Sequence, residues 1–393
     1  MLELLFVPTV ALIYALYSEK FGSENDYRKK IQVFFEVSGI AIKREDKLQY
    51  PKFQKQIDDD RSTTYVYKLP VGMPSKLIRK VEDVVSEGLG KPVRIQYDNY
   101  KLNIRVFHKE IPEKWNWSTD LIQQGKWCVP MGQSLEQLIY HDFDKTPHMT
   151  LGGLTRMGKT VFLKNVFTSL ILAQPDHTHL YIIDLKGGLE FGPYKNLRQV
   201  ESIAEKPIEA FTVLNNILEK MEEKMSYMKD KHYTNVVETN IKERYFIIVD
   251  EGAELCPEKN MRKERQKLLG ACQQMLSHIA RIGGALGFRL IFCTQYPTGD
   301  TLPRQVKQNS DAKLGFRLPT QTASSVVIDE PGLESIQSIP GRAIFKTDRL
   351  TEIQVPYISN EMMWNHLKQY EVEKYENANA RTDQPSNDDT CDD

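Results

Sequence analysis

The stretch Gly153-Leu154-Thr155-Arg156-Met157-Gly158-Lys159-Thr160 has the spacing G-x-x-x-x-G-K-[ST]. In a loop of this kind backbone N–H groups wrap phosphate oxygens, so these eight residues are candidates to bind ATP. Lys159 would reach the β- and γ-oxygens, and Thr160 would offer its hydroxyl to Mg²⁺. A chance match is disfavoured by context, because the apolar run His148–Gly153 precedes the motif and a helical pattern, Val161–Leu172, follows it. A second element is Tyr245-Phe-Ile-Ile-Val-Asp250-Glu251, a hydrophobic strand ending in two carboxylates. Taken alone, an acidic strand end is common. Downstream of a phosphate loop, Asp250 would serve the metal's water shell and Glu251 the attacking water. A third apolar run, closing with Phe292-Cys293-Thr294-Gln295, puts Gln295 where a γ-phosphate sensor would sit.

Such residues need a frame. From Pro147 onward, continuous apolar runs (HLYIIDL, ERYFIIVD, GFRLIFCT, AKLGFRL) alternate with long amphipathic helical patterns. Strands that read apolar on both faces predict an α/β fold, a mostly parallel sheet covered by helices on both sides. Together with the phosphate loop, this is the RecA-like P-loop NTPase arrangement. Residues Thr63–Pro112 read instead as strand–helix–strand–strand, a small α+β domain leading into the larger one. The expected division is residues 1–20 as an apolar N-terminal segment, 21–62 as a linker, 63–146 as the small domain and lead-in, 147–375 as the ATPase, and 376–393 as an acidic tail.

Length and composition agree with this division. With 393 residues the chain exceeds what one core usually organises. It is 40% hydrophobic and 27% charged, which excludes a collagen, a wholly disordered chain and a polytopic membrane protein. Its 52 basic and 53 acidic residues leave a net charge of −1, so any nucleic-acid surface must be a local patch. Five scattered cysteines without a CxxC pair suit a reducing cytosol and exclude a zinc ribbon. No HExxH occurs.

The uncharged run Leu4–Ser18 would rise about 22 Å as a helix, short of a hydrocarbon core of about 30 Å. It has no basic region before it and no A-x-A site after it, so a cleaved signal peptide is not expected. A membrane anchor, with Lys20, Arg28, Lys29 and Lys30 holding the rest in the cytoplasm, and a buried or oligomer-forming helix both fit. The tail Glu376–Asp393 reads as disordered and acidic.

Taken in order, these motifs resemble the FtsK/SpoIIIE family of DNA-translocating ATPases over about Thr63–Val355. PHMTLGGLTRMGKT looks like that family's lead into its phosphate loop, and YIIDLKGGLEFGPY like its second strand. VDEGAEL matches its second carboxylate motif, and IARIGGALGFRLIFCTQYPTGD is similar to its sensor stretch. Four departures stand out. Arg156-Met157 replaces the usual Gly-Ser, so the phosphate loop should be stiffer and more crowded. Gly284 stands where a second arginine, a finger onto the neighbouring subunit's nucleotide, is common. Arg281, about one helical turn earlier, is the nearest substitute. Tyr296 replaces an arginine, and Gln321 a frequent lysine.

The resemblance implies ATP and Mg²⁺ as cofactors, DNA as partner, and a ring-shaped homo-oligomer, expected to be a hexamer. The single-motor layout suggests a plasmid, phage or integrative-element protein serving conjugation, in contact with a membrane or a conjugation channel through its N-terminus. Arg304, Lys307, Lys313 and Arg317 follow the sensor strand and are DNA-phosphate candidates. The basic series Lys259–Lys267 is better read as a solvated helix face paired with Glu258 and Glu264. The competing reading is a nucleotide-gated adaptor or assembly factor that binds ATP without pumping DNA. A protein-secretion ATPase of the same family is disfavoured, since those chains usually carry several motor modules.

Overall fold

A computed structural model describes residues 27–373, apart from positions 45, 74, 99 and 296. The apolar run 4–18, the acidic tail and Tyr296 lie outside the described residues. The chain divides into two units, one ending at Pro112 and including 133–137, the other made of 113–132 and everything from 138 on.

In the first unit, α1 (Tyr27–Val37) is followed by the short antiparallel pair β1 (Ile42–Arg44) and β2 (Lys47–Gln49). Strands β3 (Lys52–Asp58) and β4 (Ser62–Lys68), helix α2 (Ser75–Leu89), and strands β5 (Val93–Asp98) and β6 (Lys101–Phe107) complete it. The four longer strands form an antiparallel sheet in the order β3-β4-β6-β5. Ile31, Phe34 and Phe35 of α1 share a core with Tyr65, Tyr67, Val85, Leu102 and Ile104. The expected strand–helix–strand–strand unit is therefore present, but the segment expected to be a linker adds a helix and three strands. The edge strand β3, KFQKQID, is exposed at every position but Phe53, so it carries no apolar alternation to read.

The second unit is built on one sheet of ten strands. They are β7 (Cys128–Gln133), β8 (Leu138–Asp142), β9 (Met149–Gly152), β10 (Thr178–Ile183), β11 (Val200–Ala204), β12 (Arg244–Val249), β13 (Phe288–Thr294), β14 (Ala312–Phe316), β15 (Arg342–Lys346) and β16 (Leu350–Gln354). Their order is β11-β10-β12-β13-β9-β14-β15-β16-β7-β8. The run from β11 to β14 is parallel throughout, and β14, β15 and β16 pair antiparallel. β7 and β8, in the stretch expected to lead into the ATPase, belong to this sheet.

Helices α3 (Lys159–Ala173), α4 (Pro207–Asp230), α5 (Lys263–Leu286), α6 (Arg304–Asn309), α7 (Gln321–Ile328) and α8 (Asn360–Leu367) complete the unit. Alternate residues of β12 enter different cores. Phe246 and Ile248 pack with Leu163, Phe167 and Leu170 of α3, while Ile247 and Val249 pack with Leu214 of α4 and Leu276 and Ile279 of α5. Burial on both faces explains why the strand reads as continuously apolar.

At the amino ends of the central strands, the Asp144 carboxylate accepts from Arg244 Nε (2.8 Å) and Nη2 (3.0 Å) and from Arg289 Nη2 (2.8 Å). Burial would raise its pKa, but the two guanidiniums outweigh that and hold it below the usual carboxylate range. Gly284 lies at this end: its carbonyl accepts from Arg289 Nη1 at 2.7 Å, and a Cβ there would stand 2.9 Å from Pro147 Cγ. Proline packing leaves a side chain no easy room at 284, which gives the missing arginine a local cause.

Candidate nucleotide site

At the other end of the sheet, the carboxyl ends of β12, β13 and β9 lie side by side, which is where open α/β sheets put their ligands. From β9 the chain turns through Gly153, with φ of 155°, where a Cβ would come within 2.5 Å of Phe316 Cβ. It enters α3 through Gly158, whose φ of 113° is left-handed. Between them Arg156 also has a positive φ, 65°, so an arginine holds a conformation that suits glycine. Met157 is buried and its carbonyl accepts from Gly341 N at 2.9 Å.

Lys159 is 5% exposed, and its ammonium donates to the carbonyls of Gly153 (2.5 Å) and Leu154 (2.8 Å). Burial lowers its pKa. Thr155 Oγ1 donates to Gln295 Oε1 at 2.9 Å, so the loop touches the end of β13 directly. Glu251, 5% exposed, accepts from Gln295 N at 3.1 Å and Thr294 Oγ1 at 3.5 Å. Asp250 is fully buried, and its Oδ1 has no hydrogen-bond partner. Burial raises its carboxyl to about 6, against the lowering effect of Lys186. Gly252 follows because a Cβ there would strike the Phe292 ring at 2.0 Å.

The structure thus brings together Gly153–Thr160, Asp250, Glu251 and Gln295. A buried carboxylate oxygen with no protein partner, close to a loop that ends in a threonine hydroxyl, fits a hard divalent cation. The donors for it would be Asp250, through water, and Thr160.

The sequence reading missed Lys186. Its ammonium lies 3.4 Å from Asp250 Oδ2 and 3.5 Å from Glu251 Oε2. Burial alone would lower the Lys186 pKa, but these two carboxylates raise it overall. Asp184, at the end of β10, shapes the turn that carries it by accepting from the backbone N–H of Lys186 (3.4 Å) and Glu190 (3.2 Å). Gly187 and Gly188 supply the left-handed residues of this turn. The run Asp-Leu-Lys-Gly-Gly after an apolar strand was the available signal. Lys164 was also passed over; its buried ammonium pairs with Glu190 and donates to Asn360 Oδ1 at 2.8 Å.

The remaining candidates lie elsewhere. Arg281 is exposed on α5, bonded to His278 Nδ1 at 3.2 Å, and lines an open groove with Cys256, Gln273 and Arg304. Arg304 is exposed. Lys307 and Lys313 are tied to Asp329, at 3.0 and 3.2 Å, and Lys313 is 8% exposed. Arg317 donates to the carbonyl of Ile336. Asp329, at a left-handed helix end (φ 63°), therefore holds charges that the sequence leaves looking free.

Among the described residues, no helix is long and apolar enough to cross a membrane. Residues 112–245 match the model of the FtsK/SpoIIIE family. The DNA translocase FtsK of Chlorobaculum tepidum is 26% identical over 252 residues, 59% of this chain and 30% of its own. That of Streptococcus pyogenes serotype M3 is 24% identical and covers 90% of this chain and 46% of its own. The chain spans less than half the length of these relatives. In fold it is similar to the pCW3 conjugation coupling protein TcpA, solved with ATPγS (TM-score 0.63, 21% identity, 87% of this chain and 98% of that one). It is also similar to the cytoplasmic domain of the Thermomonospora curvata type VII secretion ATPase EccC (TM-score 0.53, 19% identity, 66% of this chain and 33% of that one).

Proposed function

We propose that this chain, which matches the FtsK/SpoIIIE family model over residues 112–245, is an ATPase that drives DNA through a ring of its own copies, in the transfer of plasmid or other mobile-element DNA. The observation that carries this reading is the convergence of the Gly153–Thr160 loop, Glu251 and Gln295 at three adjacent strand ends. In this reading the loop amides and Lys159 bind the phosphates. Thr160 and Asp250 hold Mg²⁺, which neutralises charge on the β- and γ-oxygens when bound. Glu251, kept in place by the Gln295 amide, orients the attacking water and takes up its proton. Gln295 links the state of the γ-phosphate to Thr155 of the loop. Arg281 is assigned to the neighbouring subunit's nucleotide, in keeping with its exposed place outside its own phosphate site.

The adaptor reading has an observation of its own in favour: of the basic residues after the sensor strand, Lys307, Lys313 and Arg317 are engaged within the chain. ATP hydrolysis measured with and without double- and single-stranded DNA separates the two. A motor accelerates on DNA and an adaptor does not. Glu251→Gln should bind ATP yet turn it over slowly, and normal turnover in that variant would remove the assignment.

A further inference from the structure

We infer that Trp115, Tyr357 and the turn at Ile339–Pro340 form the subsite for the nucleoside base, and that it grips a purine by stacking. The inference rests on the phosphate-loop reading and extends it to the other end of the same cavity. That cavity, about 950 Å³, is in the size range of sites that enclose a whole cofactor. Thr155, Arg156, Gly158–Thr160, Lys186 and Gln295 line it at the phosphate end, and Trp115, Asn116, Ser338–Gly341 and Tyr357 line the rest. The two parts abut, since Gly341 N donates to Met157 O, and a Cβ on Gly158 would stand 3.1 Å from Gly341 N.

The aromatic wall is rigid. Asn116 and Tyr357 form a parallel bridge in which Tyr357 N donates to Trp115 O (2.7 Å) and Trp117 N donates to Tyr357 O (2.9 Å). The residues beside it are anchored: Trp117 is 2% exposed and Ile358 is 1% exposed. Tyr357 itself is 54% exposed. A fixed chain that presents a large aromatic ring to a cavity is a stacking platform, because the entropy of holding it is already spent by its neighbours.

Polar side chains also line this wall, Glu113, Lys114, Asn116 and Ser338 among them. The backbone groups named above are occupied by the bridge. Gln354, the buried polar side chain on this side, donates to Pro340 O (2.8 Å) and accepts from Arg342 Nε (3.1 Å). Stacking is tolerant of base identity, so loss of either ring should weaken adenine and guanine nucleotides alike.

The test is calorimetry of the full chain with Mg²⁺ and ATPγS, GTPγS or inorganic tripolyphosphate. Trp115→Ala and Tyr357→Ala should each weaken both nucleotides about tenfold or more and leave tripolyphosphate unchanged. Trp115→Phe and Tyr357→Phe should restore most of the affinity. Unchanged ATPγS binding in both alanine variants would overturn the subsite, as would a parallel loss of tripolyphosphate, which would mean the residues act through the fold. A loss confined to one of the two nucleotides would overturn the stacking mode. Lys159→Ala tests the underlying reading separately: if it binds tripolyphosphate normally, the phosphate-loop assignment fails whatever the aromatic variants do.

Discussion

Lys186 Nζ lies 3.5 Å from Glu251 Oε2, and the same ammonium is 3.4 Å from Asp250 Oδ2. One cation therefore serves two buried carboxylates of adjacent sequence. A divalent ion that approaches Asp250 must share or displace that charge. Lys186→Ala should therefore bind Mn²⁺ without nucleotide more tightly than the unaltered chain, on the order of tenfold. Calorimetric titration with Mn²⁺ alone checks this, and equal affinities would mean that the lysine does not compete.

Asp250 also sets a pH dependence. In the folded chain it keeps its proton up to about pH 6, against an ordinary value of 3.8. The folded state binds more protons between these values, so this group's contribution is full below 3.8 and is lost as the pH rises through 6. Asp250→Asn, which mimics the protonated form, should gain thermal stability over the unaltered chain as the pH goes from 4 to 7. A gap that stays constant over that range would show that burial does not hold the proton.

Asp144 is a separate matter of stability. Its carboxylate is shared by Arg244 and Arg289, which are 4% and 1% exposed. Asp144→Ala would leave two buried guanidiniums facing each other across an empty place, at a cost of about 3–5 kcal/mol. Urea denaturation measures it. A loss under 1 kcal/mol would mean that water replaces the carboxylate there.

Arg156 predicts two opposite effects from one substitution. Arg156→Gly relieves a left-handed residue and should stabilise the chain by about 1 kcal/mol. The same change removes a cation from the cavity wall and should weaken ATPγS binding. Thermal melting and nucleotide titration, run on one preparation, must move in opposite senses.

What was legible in the sequence is what is local. The phosphate loop and the Asp250–Glu251 strand end are contiguous, and their strands are buried on both faces, so the residue types alone mark them. Lys186 escaped because its direction depends on Asp184 and two left-handed glycines, which no apolar period reveals. For Lys307 and Lys313, after β13, the sequence hid a partner. Their partner Asp329 is brought to Lys307 and Lys313 by the end of α7, and charge in a sequence does not show its partner. Strand β7 lies beside β16, far later in the chain, and the aromatic wall pairs Asn116 with Tyr357. Contacts of that range leave no trace in a window of ten residues.

The bridge between Asn116 and Tyr357 has a consequence for synthesis. Its first half leaves the ribosome before the phosphate loop, and its second half leaves after every strand of the large sheet. The complete cavity therefore exists only when the whole unit has been made and has closed on itself. A nucleotide that needs both halves binds the finished fold and not its precursors, and at a hundred times its dissociation constant it adds about 2.7 kcal/mol to that fold. Cellular ATP would then act on this chain as a folding ligand, shielding completed copies from proteases and leaving unfinished ones exposed.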